Sequence, residues 1–447
     1  MKNKSQRKTL KATVEVFINK ATGKFEPLVT QETLKKIEDD LRNRYATKII
    51  AARKNQKIKD RLIAIITTDY KHLLSTSKET RKKQASYIVT AIVGTGIIEM
   101  LINANQAITD IGFNGADLTI ETNDEKIRVP GALLGIDEQY IDKTIQKYAR
   151  ANNKEFNETL PILDGMIGNV RISAIHEVLS PSGATLSLRI SRPALALNKD
   201  NFQNFAPLYI LELLEKIVKT NANIFISGET GSGKTELQKL LLSFIDAREK
   251  IVLIEDVQET HAKALFPKKD VLSWITGKNI GISDLTKAAL RNNPKWIIVS
   301  ESRGKEAYEM LQAILSGHNI ISTLHATDAL AISRRFVNMC ASGYEVNEEM
   351  LTDDFLRYVD FGIHVERMEI DGKIIRYLSE LVEYKPADLS TTVFKQYYSP
   401  KLKQFIAETG KLSTSFKQRM ERKGLEFEFS KEVKLDGKNK VSAKKVL

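Results

Sequence analysis

Cysteine is nearly absent from this sequence: Cys340 is the single one among 447 residues. One thiol excludes an internal disulfide and any multi-cysteine zinc site. Long apolar runs are lacking as well, since no segment has the roughly 18 uninterrupted apolar residues of a membrane-spanning helix. The nearest candidate, 88–101, contains two glycines and Glu99, and the lysine-rich start lacks the apolar core of a secretory signal. We therefore expect a cytoplasmic protein in a reducing compartment.

The positive charge is concentrated at the two ends of the chain. The first 60 residues hold 16 Lys and Arg against 7 Asp and Glu, and residues 385–447 hold 15 against 7. Because the whole chain carries +12, the middle is mildly acidic at −5. Basic ends could contact an anionic membrane surface or nucleic acid, although solvated basic flanks that aid solubility are the more common case. Composition alone leaves these alternatives open.

Residues 228–235 match the phosphate-binding pattern G-x-x-x-x-G-K-[ST] without a mismatch. A short, mainly apolar run precedes them at 223–227, and apolar residues at helical spacing follow over 236–245. Strand, glycine loop and helix is the order that a P-loop requires, and an ordinary Gly/Ser-rich turn does not require it. The sequence therefore predicts a nucleoside triphosphate site formed by Gly228, Glu229, Thr230, Gly231, Ser232, Gly233, Lys234 and Thr235.

The residue types of this loop each have a physical role. The glycines allow positive φ and bring backbone N–H groups against phosphate oxygens. The helix that opens near Lys234 directs its positive end at the same anion. We expect the Lys234 ammonium to reach the β- and γ-phosphates and the Thr235 hydroxyl to ligate Mg²⁺. ATP and Mg²⁺ are the expected cofactors.

The remaining chain indicates an α/β protein with more than one domain. Apolar runs at 251–254, 296–299 and 320–324 each end in polar residues, which is typical of a parallel sheet with functional groups at its carboxyl edge. A hairpin over 362–368 and 373–383 is predicted at the edge of that sheet. We expect a basic helical extension over 1–80, a mixed α+β domain over 81–193 and a linker over 194–204. The nucleotide-binding domain would follow over 205–385, and a basic tail, partly helical or disordered, over 386–447.

Hydrolysis needs a group that positions and activates water. The apolar run 296–299 leads to Glu301, and we expect this strand end to face the neighbouring P-loop strand. There Glu301 could polarise the attacking water or hold Mg²⁺ through a water. Glu255 and Glu259 follow another strand and could complete the shell of metal and water. A strand-end acid or a solvated acidic turn is the alternative for each of them.

Histidine and arginine supply further candidates. His318 and His325 flank the run 319–324, and a histidine after a strand can sense the γ-phosphate or link it to a neighbouring domain. Their spacing with no third ligand argues against a metal site. Arg171, Arg189 and Arg192 precede the nucleotide domain, and arginine stabilises the charge on a transferring phosphoryl group.

Together these motifs resemble, over about 93–383, the secretion or traffic ATPases that power type II and type IV secretion, type IV pili and Tad-type pili. Four elements occur in the family's order: a P-loop at 228–235, an Asp-box-like segment at 254–259, a Walker-B-like segment at 290–307 and a His-box-like segment at 316–326. The first domain resembles the Tad-pilus and type IV secretion branch at 110–115, 161–165 and 188–190. The tetra-cysteine element of many type II secretion ATPases is absent, which argues against that branch.

The resemblance implies a RecA-like P-loop NTPase domain after the mixed α+β domain, with ATP held between the two and six subunits in a homo-hexameric ring. It implies that Glu301 is the catalytic carboxylate and that Glu255 and Glu259 lie near metal and water. Mg²⁺ would be held by Thr235, with Glu255 and Glu301 acting through water.

The same resemblance assigns Arg171 and Arg189 to phosphate contacts from the first domain, and His325 to the coupling of nucleotide state with domain movement. Its partners would be inner-membrane components of a secretion or pilus machine. The protein would then associate peripherally with the inner face of the cell membrane, where contact with anionic lipid is open to its basic ends.

Two departures from the family pattern concern activity. Ser300 replaces the Gly that usually precedes the catalytic Glu, and its small side chain should be tolerated. Lys295 replaces the Asp that usually follows the Pro, which removes an acid that the expected hydrolysis does not need.

Two other functions compete with a secretion motor. A nucleic-acid translocase or helicase would also use a RecA-like ring, but the basic residues avoid the nucleotide domain and no aromatic stacking platform is visible, which argues against direct nucleic-acid binding. A nucleotide-binding scaffold with negligible hydrolysis is the second alternative.

Overall fold

A computed structural model describes residues 9–18, 25–52, 55–386 and 389–429 of the chain. The chain forms two compact units, 1–191 and 192–447. The end of the predicted basic tail, 430–447, lies outside the described residues.

The first unit begins with helices, which are α1 (Leu10–Glu15), α2 (Gln31–Ala52), α3 (Gln56–Asp69), α4 (Lys78–Val93) and α5 (Ile97–Ala104). Asn55 and Ser77 cap α3 and α4, because each side chain accepts a hydrogen bond from a backbone N–H of the first turn. Apolar side chains on α2, α3 and α4, such as Ile37, Leu62 and Ile88, are fully buried against one another. The three helices therefore share a small core of their own.

The sequence suggests one helix over 78–102, and this prediction is wrong. The chain bends by 120° between α4 and α5, where Gly96 has a φ of +60°. A Cβ on Gly94 would lie 1.5 Å from Oε2 of Glu99, and Glu99 also forms an ion pair with Lys59 at 2.5 Å. Among the described residues no single helix is long and apolar enough to cross a membrane. The bent pair of α4 and α5 has the length and composition of a span when the two helices are taken together.

A six-stranded antiparallel sheet completes the first unit, with strands β1 (Ile108–Phe113), β2 (Asp117–Thr122), β3 (Lys126–Pro130), β4 (Ile162–Ile167), β5 (Val170–Ile175) and β6 (Thr185–Ile190). Their order is β3-β2-β1-β6-β5-β4, and α6 (Glu138–Ala151) packs on the sheet. Asn114-Gly115 between the apolar runs 111–113 and 118–120 predicts a hairpin, and the structure confirms it. Asn114 Oδ1 accepts hydrogen bonds from the backbone of Ala116 and Asp117, and β1 pairs with β2.

A nine-stranded sheet forms the second unit. Its strands are β7 (Ile224–Gly228), β8 (Ile251–Glu255), β9 (Val271–Ile275), β10 (Trp296–Val299), β11 (Asn319–Leu324), β12 (Phe361–Ile370), β13 (Lys373–Glu383), β14 (Thr391–Ser399) and β15 (Gln404–Thr409). The order is β15-β14-β13-β12-β7-β11-β10-β8-β9. The six strands from β12 to β9 run parallel, so their carboxyl ends meet at one edge.

Helices cover both faces of the parallel strands. They are α7 (Leu208–Lys219), α8 (Lys234–Phe244), α9 (Ala262–Leu265), α10 (Ile282–Ala289), α11 (Glu306–Leu315), α12 (Ala331–Ala341), α13 (Glu348–Tyr358) and α14 (Thr414–Glu421). Ile224 and Ile226 of β7 join the apolar cluster on one face, and Phe225 joins the cluster on the other. Strands buried on both faces explain the near-continuous apolar runs in the sequence.

Three expectations for this unit need correction. The hairpin β12–β13 is confirmed, but it does not lie at the sheet edge, because β14 and β15 continue the sheet beyond it. The predicted separate tail is wrong over 391–421, because the chain there forms β14, β15 and α14 of the second unit. Val393, Phe394 and Phe416 are buried in the core of this unit. The stretch 194–204 is no bare linker either, since Phe202 is fully buried in the same core.

Candidate functional site

The predicted phosphate loop connects β7 to α8. Three of its glycines have left-handed φ values, +150° at Gly228, +76° at Gly231 and +101° at Gly233, which other residues adopt at a cost. Gly228 is also closely packed: a Cβ there would lie 2.2 Å from the carbonyl oxygen of Val365 on the neighbouring strand β12. Glycine is therefore required at Gly228 by space as well as by conformation.

Hydrogen bonds within the loop fix its shape. The Nζ of Lys234 donates to the carbonyl oxygens of Gly228 and Glu229, at 2.8 and 2.9 Å. Ser232, which is fully buried, donates to Glu229 O through both its backbone N and its hydroxyl. Thr235 is the second residue of α8 and is half-buried. The loop thus presents an ammonium, a hydroxyl and the amino end of a helix at one place, as an anion site does.

The expectation that the strand of Glu301 is the neighbour of the P-loop strand is wrong. β11 lies between β10 and β7, and β11 pairs in parallel with both. Glu301 nevertheless follows the carboxyl end of β10, at the sheet edge where β7 leads into the loop. A parallel sheet brings these ends together irrespective of which strands are direct neighbours.

Two side chains hold the carboxylate of Glu301. Nη2 of Arg303 donates to Oε2 at 2.9 Å, and Nε2 of His325 lies 3.1 Å from Oε1. His325 follows β11, so the contact joins the ends of two adjacent strands. Burial acts to raise the pKa of Glu301, but the hydrogen bond and charge of Arg303 and the charges of His325 and Lys234 outweigh it and lower that pKa. The carboxylate is therefore ionised at neutral pH.

Glu255 is buried at the end of β8, two strands away from β11. Its Oε1 accepts hydrogen bonds from the backbone N of Glu259 and from the backbone N and hydroxyl of Thr260. Its Oε2 is buried and has no hydrogen-bond partner among the described residues. Burial raises the pKa of Glu255 despite these hydrogen bonds. One oxygen of this carboxyl group therefore holds the loop 256–260 by hydrogen bonds, and Glu259 is part of that loop.

Arg303 connects the two acidic strand ends. Besides Glu301, its guanidinium lies 3.6 Å from Oδ2 of Asp256, and the charges of Glu301, Asp256 and Glu259 all contribute to raising its pKa. Sequence reasoning assigned no role to Arg303. Its position two residues after a strand-end acid was the one signal that could have indicated it.

The histidines and arginines of the sequence prediction are dispersed. His318 precedes β11 and lies near Ser316 and Ala313, at the opposite end from His325. Arg171 and Arg189 belong to the first unit, where they face each other across the β5–β6 ladder. Arg192 opens the second unit, and burial lowers its pKa. Any contact of Arg171 or Arg189 with a nucleotide stays a prediction.

The two departures from the family pattern differ in position. Lys295 precedes β10 and accepts a backbone hydrogen bond from Asn319, so it lies at the opposite end of that strand from Glu301. Ser300 lies at the site, and its carbonyl oxygen accepts a hydrogen bond from the hydroxyl of Thr323 at 2.7 Å. The Asp that Lys295 replaces would therefore lie far from Glu301, the predicted catalytic carboxylate.

Two further features of the loop's surroundings were not foreseen. His364 of β12 is buried with Nδ1 2.8 Å from the hydroxyl of Ser227, just before the loop, and burial lowers its pKa. Arg376 of β13 donates from Nε to the carbonyl oxygen of Gly231 at 2.7 Å. Both contacts join residues far apart in the sequence, so no local pattern could indicate them.

The glycine loop on a parallel α/β sheet with helices on both faces defines a P-loop nucleotide-binding fold, and the predicted fold class is confirmed. Residues 159–352 match the family described as Type II/IV secretion system protein. The chain is 42% identical over 410 residues to an uncharacterized protein of Bacillus anthracis, with 90% of this chain and 92% of that protein covered. It is 27% identical over 357 residues to the type IV secretion system protein VirB11 of Bartonella henselae, with 70% and 91% covered.

Among solved structures, the ATPase DotB of Legionella pneumophila is similar to this chain with a TM-score of 0.48 and 18% identity, covering 65% of this chain and 81% of that one. The type IV secretion system protein PtlH of Bordetella pertussis is 37% identical to this chain over 171 residues, which is 36% of this chain and 50% of that protein. The chain belongs to the family of type II/IV secretion system proteins.

Proposed function

We propose that this protein is a motor that hydrolyses ATP with Mg²⁺ and, as a homo-hexamer, powers a type IV secretion, conjugation or Tad-like pilus machine at the inner membrane. The observation that carries the proposal is the shared edge of Lys234 and Glu301. The two groups are near enough that Lys234 is among the cations that lower the pKa of Glu301 against the effect of burial. A phosphate-binding ammonium and an ionised carboxylate at one site are what phosphoryl transfer to water needs.

The loop would bind the triphosphate and Glu301 would act on the water. Backbone N–H groups at the start of α8 and the Lys234 ammonium are suited to the phosphate oxygens. Glu301, held by Arg303 and His325, would orient the attacking water and accept its proton. Because Arg303 and His325 fix the carboxylate, it would keep one orientation through the reaction.

The donor set of the site fits Mg²⁺. Among the residues that the structure describes, no group of three or more His, Cys, Asp or Glu could hold a metal by itself. Mg²⁺ at nucleotide sites is usually bound by one or two protein oxygens, by waters and by the phosphates. Thr235 would supply a direct ligand, with Glu301 and Glu255 acting through water; the orphaned Oε2 of Glu255 is the oxygen suited to this. The bound ion neutralises charge on the phosphoryl oxygens.

Arginines of the first unit would complete the site in a ring. Arg171 and Arg189 carry two guanidinium groups at facing positions of β5 and β6, and such a pair suits a phosphate. We propose that their contact with the nucleotide closes the first unit on the second, that hydrolysis reopens it, and that His325 relays the state of Glu301 to this movement.

The proposed location is the cytoplasm, at the inner face of the cell membrane and in contact with inner-membrane components of the machine. Membership of the type II/IV secretion protein family and the basic ends support this location. Binding of the full chain to vesicles of anionic phospholipid, measured by flotation at low and high salt, tests the lipid part, because screened charges lose their attraction.

Steady-state ATP turnover of the full chain tests the proposed activity. The wild type should hydrolyse ATP with Mg²⁺, and Lys234→Ala should lose both ATP binding and turnover. Light scattering with and without a non-hydrolysable ATP analogue should give the mass of a hexamer of the 50.4 kDa chain. No turnover would favour the scaffold alternative, and strong salt-sensitive stimulation by DNA would favour the translocase.

A further inference from the structure

Gln238 is a polar side chain in the apolar core of the second unit. It lies on α8 and is fully buried, although its helix neighbours Leu237 and Leu241 belong to the apolar cluster of that core. Its Nε2 donates to the carbonyl oxygen of Val299 at 2.9 Å and lies 3.4 Å from that of Ile321. Its Oε1 is buried and has no hydrogen-bond partner among the described residues. Burying an amide with an orphaned oxygen costs stability, so packing alone does not explain a glutamine at this position.

The amide of Gln238 connects the helix of the phosphate loop with the strand ends of the candidate site. α8 begins at Lys234, and Gln238 follows about one helical turn later. Val299, which it contacts on β10, is the last residue of that strand and precedes Glu301 by two positions. The longer contact is with β11, the strand that ends just before His325. One buried side chain therefore joins the three elements that lead to Lys234, Glu301 and His325.

Hydroxyl groups continue the contact between β10 and β11 past the end of their ladder, which stops before Glu301. The hydroxyl of Thr323 donates to the carbonyl oxygen of Ser300 at 2.7 Å, and the backbone N of Ser302 donates to the carbonyl oxygen of Thr323 at 2.7 Å. The hydroxyls of Ser302 and Ser322 also lie 2.7 Å apart. Thr323, Ser302 and Ser322 are buried, so the backbone is held on both sides of Glu301.

We propose that Gln238 and Thr323 are positioning residues, which hold the segment around Glu301 in a fixed place relative to the phosphate loop. Gln238 fixes the end of β10 to α8, and Thr323 fixes the residue before Glu301 to β11. Both act through backbone carbonyl groups and not on the substrate. A base must lie within hydrogen-bond reach of the water that it activates, and a small displacement of a catalytic group lowers the rate strongly. This inference rests on the proposed role of Glu301.

Rate and affinity together test the two roles. Gln238→Met and Thr323→Val remove the polar groups and keep the side chains close to their original size. Single-turnover hydrolysis and calorimetry, both on the full chain, measure the rate and the affinity for Mg-ATP. We expect the rate to fall about tenfold or more in each variant, and the affinity to stay within about twofold of the wild type because the loop itself is unchanged. Thr323→Ser keeps the hydroxyl and should recover most of the rate.

Two matched controls show whether any buried polar group would have the same effect. Gln396 of β14 is buried and donates to the carbonyl oxygen of Phe205 at 3.2 Å. Thr286 of α10 is buried and donates to the carbonyl oxygen of Ile282 in its own helix at 2.8 Å. Gln396→Met and Thr286→Val should keep the rate of the wild type. Gln238→Met should melt close to the wild type, because removal of the orphaned oxygen offsets the lost hydrogen bond.

Hydrogen exchange tests the positioning without any nucleotide. The backbone N of Ser302 donates to Thr323, and exchange of this amide requires local opening of the segment. Peptides that cover 299–303 should therefore exchange about tenfold faster in Gln238→Met and in Thr323→Val than in the wild type. The same peptides should exchange at the wild-type rate in Gln396→Met and Thr286→Val.

Four results would overturn the inference: rates within twofold of the wild type in Gln238→Met and Thr323→Val, equal rate losses in the two controls, a rate in Thr323→Ser as low as in Thr323→Val, or unchanged exchange over 299–303. A normal rate in one variant alone would remove that residue from the proposal. Should Gln238→Met fail to fold, the two variants of Thr323 decide the question. A wild type that does not turn over ATP would count against the proposed motor, while the exchange measurement still decides on the positioning.

Discussion

Oε1 of Glu301 lies 3.1 Å from Nε2 of His325, although the two residues follow different strands. β10 and β11 are parallel neighbours, with Val299 opposite Ser322, so the carboxyl ends of the two strands lie side by side. Arg303 holds the second oxygen of the same carboxylate at 2.9 Å. The candidate base is therefore held from two sides before any water is placed.

Replacing this carboxylate should separate binding from chemistry. Glu301→Gln keeps the size of the side chain but cannot accept a proton, so we expect turnover to fall by about 10²- to 10⁴-fold while the affinity for Mg-ATP stays near that of the wild type. Single-turnover hydrolysis and calorimetry measure the two quantities. Glu349→Gln, at an exposed position of α13, is the control. A normal rate in Glu301→Gln would show that another group activates the water.

The contact with Arg303 predicts a pH effect. Burial raises the pKa of Glu301 and Arg303 is the main group that lowers it, so Arg303→Met should raise this pKa. A base must be deprotonated to act, and the acid limb of kcat/KM against pH should therefore move to higher pH in the variant. An acid limb that stays in place would show that Arg303 does not control the ionisation of the base.

The same shift has a stability counterpart. Because the pKa of Glu301 in the folded protein lies below its ordinary value, the ionised group stabilises the fold above that ordinary value, about 4.3, and this contribution is lost as the pH falls through the lowered pKa. The difference in unfolding free energy between the wild type and Arg303→Met should thus narrow in acid. Urea unfolding at pH 7 and below pH 4 measures it.

Glycine is predicted to be indispensable at the first position of the loop. Gly228 has a φ of +150°, and a Cβ on it would lie 2.2 Å from a backbone oxygen. Because the clash is with backbone, no side-chain movement can relieve it, and the backbone strain of the positive φ would remain. We expect Gly228→Ala to lose ATP binding and at least about 2 kcal/mol of unfolding free energy. Gly277→Ala is the matched control, because its Cβ would meet the nearest atom only at 4.0 Å and its φ is not positive.

The end of the described chain should matter to the stability of the second unit. Arg419 of α14 donates to the carboxylate of Asp360 and to the carbonyl oxygens of Thr220 and Asn221. Removing it leaves a partly buried carboxylate without its cation, so Arg419→Ala should cost about 2–3 kcal/mol of unfolding free energy.

A second substitution tests that explanation. Burial raises the pKa of Asp360 and Arg419 opposes this; without Arg419 the carboxyl should take up a proton more readily, and the loss of stability should shrink in acid. Arg419→Ala combined with Asp360→Asn should recover part of the loss at pH 7. If the double variant is less stable than Arg419→Ala, the cost comes from the lost backbone contacts and not from the unpaired charge.

Local patterns were enough to predict the elements of the site. The glycine loop, the apolar strands and the strand-end Glu301 each lie within a few residues of sequence, and the structure places them as elements where the sequence predicts them. The neighbour of a strand is a property of the whole sheet, however. The insertion of β11 between β10 and β7 could not be inferred from the run 296–301, because parallel strands carry no mark of their order.

Other errors have a different physical origin. The predicted helix 78–102 is broken at 94–96, where Gly96 has a left-handed φ and the side chain of Glu99 occupies the space beside Gly94. The sequence analysis does not predict strands β14 and β15, because apolar residues such as Val393 and Phe394 are followed by basic and polar ones such as Lys395 in a tail with a net positive charge. Arg376 reaches Gly231 across 145 positions of sequence, a distance over which no motif extends.

The ammonium of Lys234 already has partners inside the chain, the carbonyl oxygens of Gly228 and Glu229. A polyphosphate that binds must therefore replace existing hydrogen bonds of Lys234, and it does not have to order a disordered loop. Most of the ordering entropy of the loop is spent when the protein folds, which favours fast capture and fast release. For the motor proposed above, which would bind and release many nucleotides in turn, a preformed loop is better suited than one that has to order itself around each nucleotide.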